Sequence, residues 1–132
     1  MYPDWQAEIV ELHAFFTAWL AGELPNTDEV FARCSGTMAP GCTMISPGGH
    51  LVEREALLAQ LRAMHGTRPG LRIWIEQPRL RHALGDALLV TYEEWQEREG
   101  VITSRHSTAL FVPAPDTPHG VAWAHIHETW KG

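Results

Sequence analysis

The sequence predicts an α+β fold, a strongly curved antiparallel sheet wrapped around a long N-terminal helix and two further helices. Three observations carry this. Residues 4–21 place Trp5, Ile9, Leu12, Phe16 and Trp19 at intervals of 4, 3, 4 and 3, which is one face of an amphipathic helix. After residue 70, four long stretches of strand-forming residues are separated by turn residues. The helical patterns precede these four stretches, and such segregation packs helices on one face of an antiparallel sheet. A long curved sheet with helices on one side leaves a concave space open at one end.

In chain order, Asp4 is suited to cap the first helix and Gly22 to end it. Phe15, Ala18 and Leu20 widen its apolar stripe. After Pro25, Thr27 heads a short second helix, with Asp28 and Glu29 placed for the helix dipole and Val30 and Phe31 as anchors. Residues 42–45 and 50–52 flank Ser46-Pro47-Gly48-Gly49, a hairpin signal. Residues 54–65 read as the third helix, with Leu57, Leu58, Leu61 and Met64 on one face and Gly66 as terminator. Residues 71–76 read as a strand, and Pro78 after it implies a bulge or an edge position. The turns Gly85-Asp86 and Glu99-Gly100 separate strands at 87–96 and 103–112. A loop at 113–120 leads into the last strand, VAWAHIHETW, whose polar groups on both faces suit a position inside the sheet. Period-two alternation puts Trp123, His125, His127 and Thr129 on one face, and Ala124, Ile126, Glu128 and Trp130 on the other.

A chain of 132 residues is read as a single domain over 1–132, long enough for a real core. Apolar residues make up 45% and charged residues 20%, as in a soluble globule, and no apolar run approaches the length of a membrane span. The N-terminus lacks a basic leader pattern, so the cytoplasm is the expected compartment. A net charge of −6 argues against a nucleic-acid partner. One stretch reverses the sign: Arg62, Arg68, Arg72, Arg79 and Arg81 share a window whose only acid is Glu76, which reads as a solvated or interface-lining strand edge. Cys34 and Cys42 lack metal-type spacing and are expected as free buried thiols.

The order of elements, the Gly85-Asp86 turn entering a strand with Tyr92, and the ending Trp123-Ala-His125-Ile126-His127 resemble the nuclear transport factor 2-like superfamily. This is the cone-shaped, cystatin-like fold of SnoaL-like cyclases and ketosteroid isomerases. The last strand is most similar to the association domain of calcium/calmodulin-dependent kinase II and its small bacterial relatives. The resemblance implies the cone but no single function, because the superfamily hosts enzymes, binding modules and association modules. Isomerase-like members use an aspartate base, yet Asp4, Asp28, Asp86 and Asp116 all fall at helix starts, turns or loops here. The kinase association domains line their pocket with arginines, and this chain has Glu94 and Ala109 where two of those would fall. Arg105 shares a face with Ala109 and partly replaces the charge.

The residues therefore predict a small-molecule-binding domain acting as a homodimer. Two alternatives stand beside it: an acid–base enzyme of isomerase, cyclase or dehydratase type on a small hydrophobic substrate, and a pure association module. The expected cavity wall comprises Phe16, Trp19, Leu57 and Leu61 from the helices, and Tyr92, Glu94 and Ala109 from the sheet. His106 and, from the last strand, His127 and Glu128 complete the candidates. Tyr92 and Glu94 alternate with Leu88 and Val90 as the deep end of one face, which places Glu94 toward the mouth. A carboxyl there can work as an acid or base if burial raises its pKa. His125-x-His127 with His106 has a workable metal spacing, but no converging further ligand can be placed, so neither metal nor cofactor is expected. The dimer is expected through the open sheet face, with Trp74 or Trp123 upon it.

Overall fold

The computed structural model describes residues 3–132. Three helices, α1 (Trp5–Ala21), α2 (Asp28–Ser35) and α3 (Arg54–Ala63), cover one face of a six-stranded sheet. Its strands are β1 (Met38–Ile45), β2 (Leu51–Glu53), β3 (Arg72–Leu84), β4 (Ala87–Arg98), β5 (Val101–Pro113) and β6 (Val121–Trp130), in the spatial order β2-β1-β6-β5-β4-β3. All neighbours are antiparallel except β1 and β6, which run parallel. The last strand thus lies inside the sheet, joining the N-terminal hairpin to the meander.

Local chemistry sets the helix boundaries. Asp4 Oδ1 accepts the Ala7 N–H at 3.0 Å, and Thr27 Oγ1 accepts that of Val30 at 3.2 Å. Gly22 closes α1 at φ 78°, where a side chain would be strained. A Cβ there would also lie 3.1 Å from the Gly66 backbone. That close approach lets the N–H groups of Gly66 and Arg68 donate to the Trp19 and Leu20 carbonyls, satisfying the end of α1 from another segment. The same demand shortens α3, which ends at Ala63 instead of continuing to residue 65, because the chain must turn away to reach α1.

Pro78 does not end the third strand. β3 is an edge strand that passes the proline through a break in register between Glu76 and Arg79, with Gln77 at φ 54°. β6 also departs from simple alternation. Its register against β5 slips between Leu110 and Phe111, leaving Ala124 as an extra residue. Trp123 therefore shares the inner face with Ile126 and Glu128, while His125 and His127 face outward. This corrects the expected grouping of Trp123 with the histidines and removes Trp123 from the outer face, where it is 1% exposed. Trp74 does lie outside, stacked on Trp95 with centroids 6.0 Å apart.

The core joins Ile9, Leu12, Phe15 and Trp19 of α1 to Phe31 and to Val90, Ala109, Phe111, Trp123 and Ile126 of the sheet. Cys34 and Cys42 are free and buried. Burial pushes their thiols to about 12 and about 11, so both stay protonated and inert. One charged group sits at the centre. Glu8 is fully buried and accepts both Arg33 guanidinium nitrogens, at 2.9 and 3.2 Å, and Trp123 Nε1 at 2.8 Å. It ties α1 to α2 and to β6. No helix among the described residues is long and apolar enough to cross a membrane.

Candidate functional site

Between α1, α3 and the inner sheet face lies a cavity of about 260 Å³. Its apolar wall comes from Leu12, Phe16 and Leu20 of α1, Leu57 and Leu61 of α3 with Met64 just beyond it, Met38 and Met44 of β1, and Ile73, Trp123 and Ile126 of the sheet. Gln60 and Arg68 lie at its exposed rim. The polar wall is a grid laid down by strand pairing. Alternation along β4 turns Tyr92, Glu94 and Gln96 inward. Register then sets Glu94 opposite Arg105 and Tyr92 opposite Ser107, and Ser107 opposite Glu128.

From above, α1 lowers His13 onto this grid. Its Nδ1 lies 2.7 Å from the Ile9 carbonyl and its Nε2 3.1 Å from Glu94 Oε1. Both partners only accept, so both ring nitrogens carry protons and His13 is an imidazolium. Burial works against that charge, but Glu94 outweighs it and the His13 pKa is raised. Burial likewise opposes ionisation of Glu94. His13, Arg105 and the Gln96 amide, 2.5 Å from Oε2, overcome it and hold the carboxyl at about 2. Glu94 is therefore a fixed anion, buried in an ion pair instead of standing free at the mouth.

Glu128 behaves oppositely. Its carboxyl accepts from Arg105 Nη1 and Ser107 Oγ, each at 3.2 Å. Burial and then the negative charge of Glu94 push it up to about 7 against the pull of Arg105 and His13. Its carboxyl can therefore exchange a proton near neutral pH. Burial and the two carboxyls raise the Tyr92 phenol well above 10, so it stays neutral. Arg105 stands between the carboxyls, 4.8 Å from the Trp130 ring centroid, with its Nε 4.0 Å from Glu94 and lacking a hydrogen-bond partner.

Of the residues expected at the wall, Phe16, Leu57, Leu61, Tyr92, Glu94 and Glu128 line the cavity. The other four do not. Trp19 packs behind it against Phe15, Phe31 and His65, with Nε1 donating to the Leu61 carbonyl at 2.9 Å. Ala109 faces inward but is sealed in the core between Val90 and Ile126. His106 and His127 are exposed on the outer face, because each alternates with an inward neighbour, Ser107 and Glu128. His125 there bonds Thr43 at 2.7 Å. Among the described residues, no three His, Cys, Asp or Glu side chains converge as a metal-holding group. The principal residue sequence reasoning missed is His13. Its signal was available: it follows Leu12 and precedes Phe16 on the buried side of α1, where an unpaired imidazole would be costly.

This fold and cone-shaped cavity define a nuclear transport factor 2-like domain. The chain belongs to the sucrose-6-phosphate phosphohydrolase C-terminal family, whose model matches residues 5–132. It is 30% identical over 129 residues to sucrose-phosphatase 1 of Nicotiana tabacum, a match that covers 93% of this chain and 30% of that protein. The chain thus spans about a third of the length of the curated relatives it matches. Among solved structures, it is similar to a nuclear transport factor 2-like protein of unknown function from Pseudomonas aeruginosa. The two are 28% identical with a TM-score of 0.87, covering 97% of this chain and 98% of that one. The S. rosetta calcium/calmodulin-dependent kinase II hub shares the fold at 16% identity and a TM-score of 0.62, over 80% of this chain and 83% of that chain.

Proposed function

We propose that this chain is a small-molecule-binding domain that works as a homodimer. Its ligand has an apolar body and an uncharged, hydrogen-bonding end. The observation that carries this is the internal balance of the polar wall. His13 and Arg105 face Glu94 and Glu128, so the buried charges of the wall are turned toward one another, with the cation Arg68 only at the exposed rim. What remains for a ligand is the unpartnered Arg105 Nε–H, the Glu128 carboxyl and the Gln96 amide, beside an extensive apolar wall. Hydroxyl and carbonyl groups suit that set. Sucrose, the uncharged polyol in the names of the curated relatives, has no apolar body and enters the series as the all-polar comparison. Their hydrolytic activity belongs to proteins of which this chain spans only a part.

A thermal-shift series of uncharged hydroxyl-bearing compounds, each beside its carboxylate or phosphate analogue, tests the reading. The uncharged members should stabilise the chain by mass action. Leu61→Trp, which fills the cavity, should abolish the shift while leaving the fold intact. Equal stabilisation of Leu61→Trp by the uncharged compounds, or a stronger response to the charged analogues that Leu61→Trp abolishes, would sink the proposal.

Self-association is supported by the uncovered back of the sheet. Ile45, Leu89 and Leu110 face outward there and are only partly buried in the single chain. Light scattering should give twice the chain mass of 14.8 kDa. A lone-chain mass at micromolar concentration would remove the dimer and leave the cavity reading standing.

A further inference from the structure

A second concavity of about 330 Å³ lies on the outer sheet face, away from the cavity. Gln77, Arg79, Arg81, Thr91, His106 and Thr108 line it, together with the carboxylate of Glu93. The edge strand β3 builds it through two breaks in register against β4, one between Glu76 and Arg79 and one between Leu80 and His82. Gln77 holds φ 54° at the first break, a left-handed conformation uncommon for a residue with a side chain. Bulges of this kind re-aim side chains. Here they bring two arginines to one threonine. Arg79 is in register with Thr91, and Arg81 Nε donates to the Thr91 hydroxyl at 2.8 Å. Thr91 pairs with Thr108 on β5, and His106 lies on the same outward face two residues before it.

The charge of this pair is uncompensated. Arg33, Arg54, Arg62, Arg72, Arg98 and Arg105 each lie against a carboxylate. Arg68 at the cavity rim meets none among the described residues, and neither do Arg79 and Arg81, which share the groove. Their side-chain partners are neutral, the Gln77 amide oxygen at 3.1 Å and the Thr91 hydroxyl. The two nearby acids are engaged elsewhere. Glu93 accepts from Trp95 Nε1 at 3.0 Å and Lys131 Nζ at 3.1 Å, and Glu76 accepts from Trp74 Nε1 at 2.9 Å. A chain of net charge −6 therefore keeps a concave site with two free guanidinium groups, two threonine hydroxyls and an imidazole.

We infer that this groove is an anion-binding site for a phosphate group, free or as a phosphomonoester. Guanidinium forks match the several oxygens of a tetrahedral oxyanion, and hydroxyl groups complete its shell. The site lies on the other sheet face from the cavity and does not depend on what the cavity binds.

The test is a nuclear magnetic resonance titration of the whole chain with inorganic phosphate and with phenyl phosphate. Saturable shifts centred on the Thr91 and Thr108 amides are expected with one or both anions. Arg79→Ala and Arg81→Ala should each weaken binding about tenfold. Both side chains are exposed, so the fold is kept. Arg68→Ala, at the cavity rim, should bind as wild type. The inference is overturned if neither anion gives saturable shifts at Thr91 and Thr108. It also fails if the shifts centre on Gln96 and Arg105 in the cavity, or if Arg68→Ala loses as much as the groove variants.

Discussion

Glu8→Ala should lower the stability of this chain by about 3–5 kcal/mol, the usual result of removing one partner from a buried ion pair. Glu8 is 0% exposed, and its carboxylate receives three hydrogen bonds from two different elements. Removing it strands the Arg33 guanidinium, only partly exposed, and the Trp123 indole N–H, which is buried. Each then loses its partner in a place that water reaches poorly. Glu8→Gln should cost less, because the amide oxygen can still accept from Trp123 and its size is unchanged. Urea unfolding followed by tryptophan fluorescence measures both variants, and the midpoint should move while the slope stays constant. An alanine variant within about 1 kcal/mol of wild type would show that Glu8 is not the brace described here. The effect bears on the candidate site as well as on stability, since Trp123 forms part of the cavity wall.

Between pH 5 and 6.5 the wild-type chain should lose about 1–2 kcal/mol of stability, and Glu128→Gln should abolish that loss. The Glu128 carboxyl titrates at about 7 in the folded chain against 4.5 as its ordinary value. In the interval between, the folded state binds more protons than the unfolded one, so stability falls as pH rises. Three other groups act outside this window or add to it in a known direction. Glu94 and Glu93 are held below 4.5, so their contribution is present above that value and is lost only as pH falls through their folded pKa values. His13 is raised above 6.5, so its contribution is complete below that pH and is lost as pH rises through its folded pKa. The interval from 5 to 6.5 thus isolates Glu128. Denaturant midpoints at several pH values, for wild type and Glu128→Gln, supply the slopes. Parallel slopes for the two would show that Glu128 ionises normally and is not a proton-exchanging group of the cavity.

Much of the architecture was legible because it is written locally. Asp4, Thr27 and Gly22 act on backbone groups within a few residues, so helix boundaries could be read from them. The spacing of Ile9, Leu12 and Phe16 fixes a face without reference to anything else, and so does the alternation through Tyr92 and Glu94. These rules reached Phe16, Leu57, Leu61, Tyr92 and Glu94, which line the cavity, and equally Trp19 and Ala109, which pack behind it. They failed at His106, His127 and Trp123, all expected from period-two counting along strands whose facing had to be assumed.

The sequence by itself determined the three helices and a central part of each strand, the segregation of helices from the meander, and the inward turn of Tyr92 and Glu94. Only the tertiary structure decided which face of β6 meets the cavity, because the extra residue at Ala124 depends on pairing with β5 and carries no composition signal of its own. It alone brought His13 to Glu94, 81 residues away, and set Arg105 between two carboxyls. The physical reason is the range of the forces. Caps and periodicity act over a few bonds of chain, whereas the charge state of a buried carboxyl is set by burial and by neighbours that the fold, and not the chain order, places beside it.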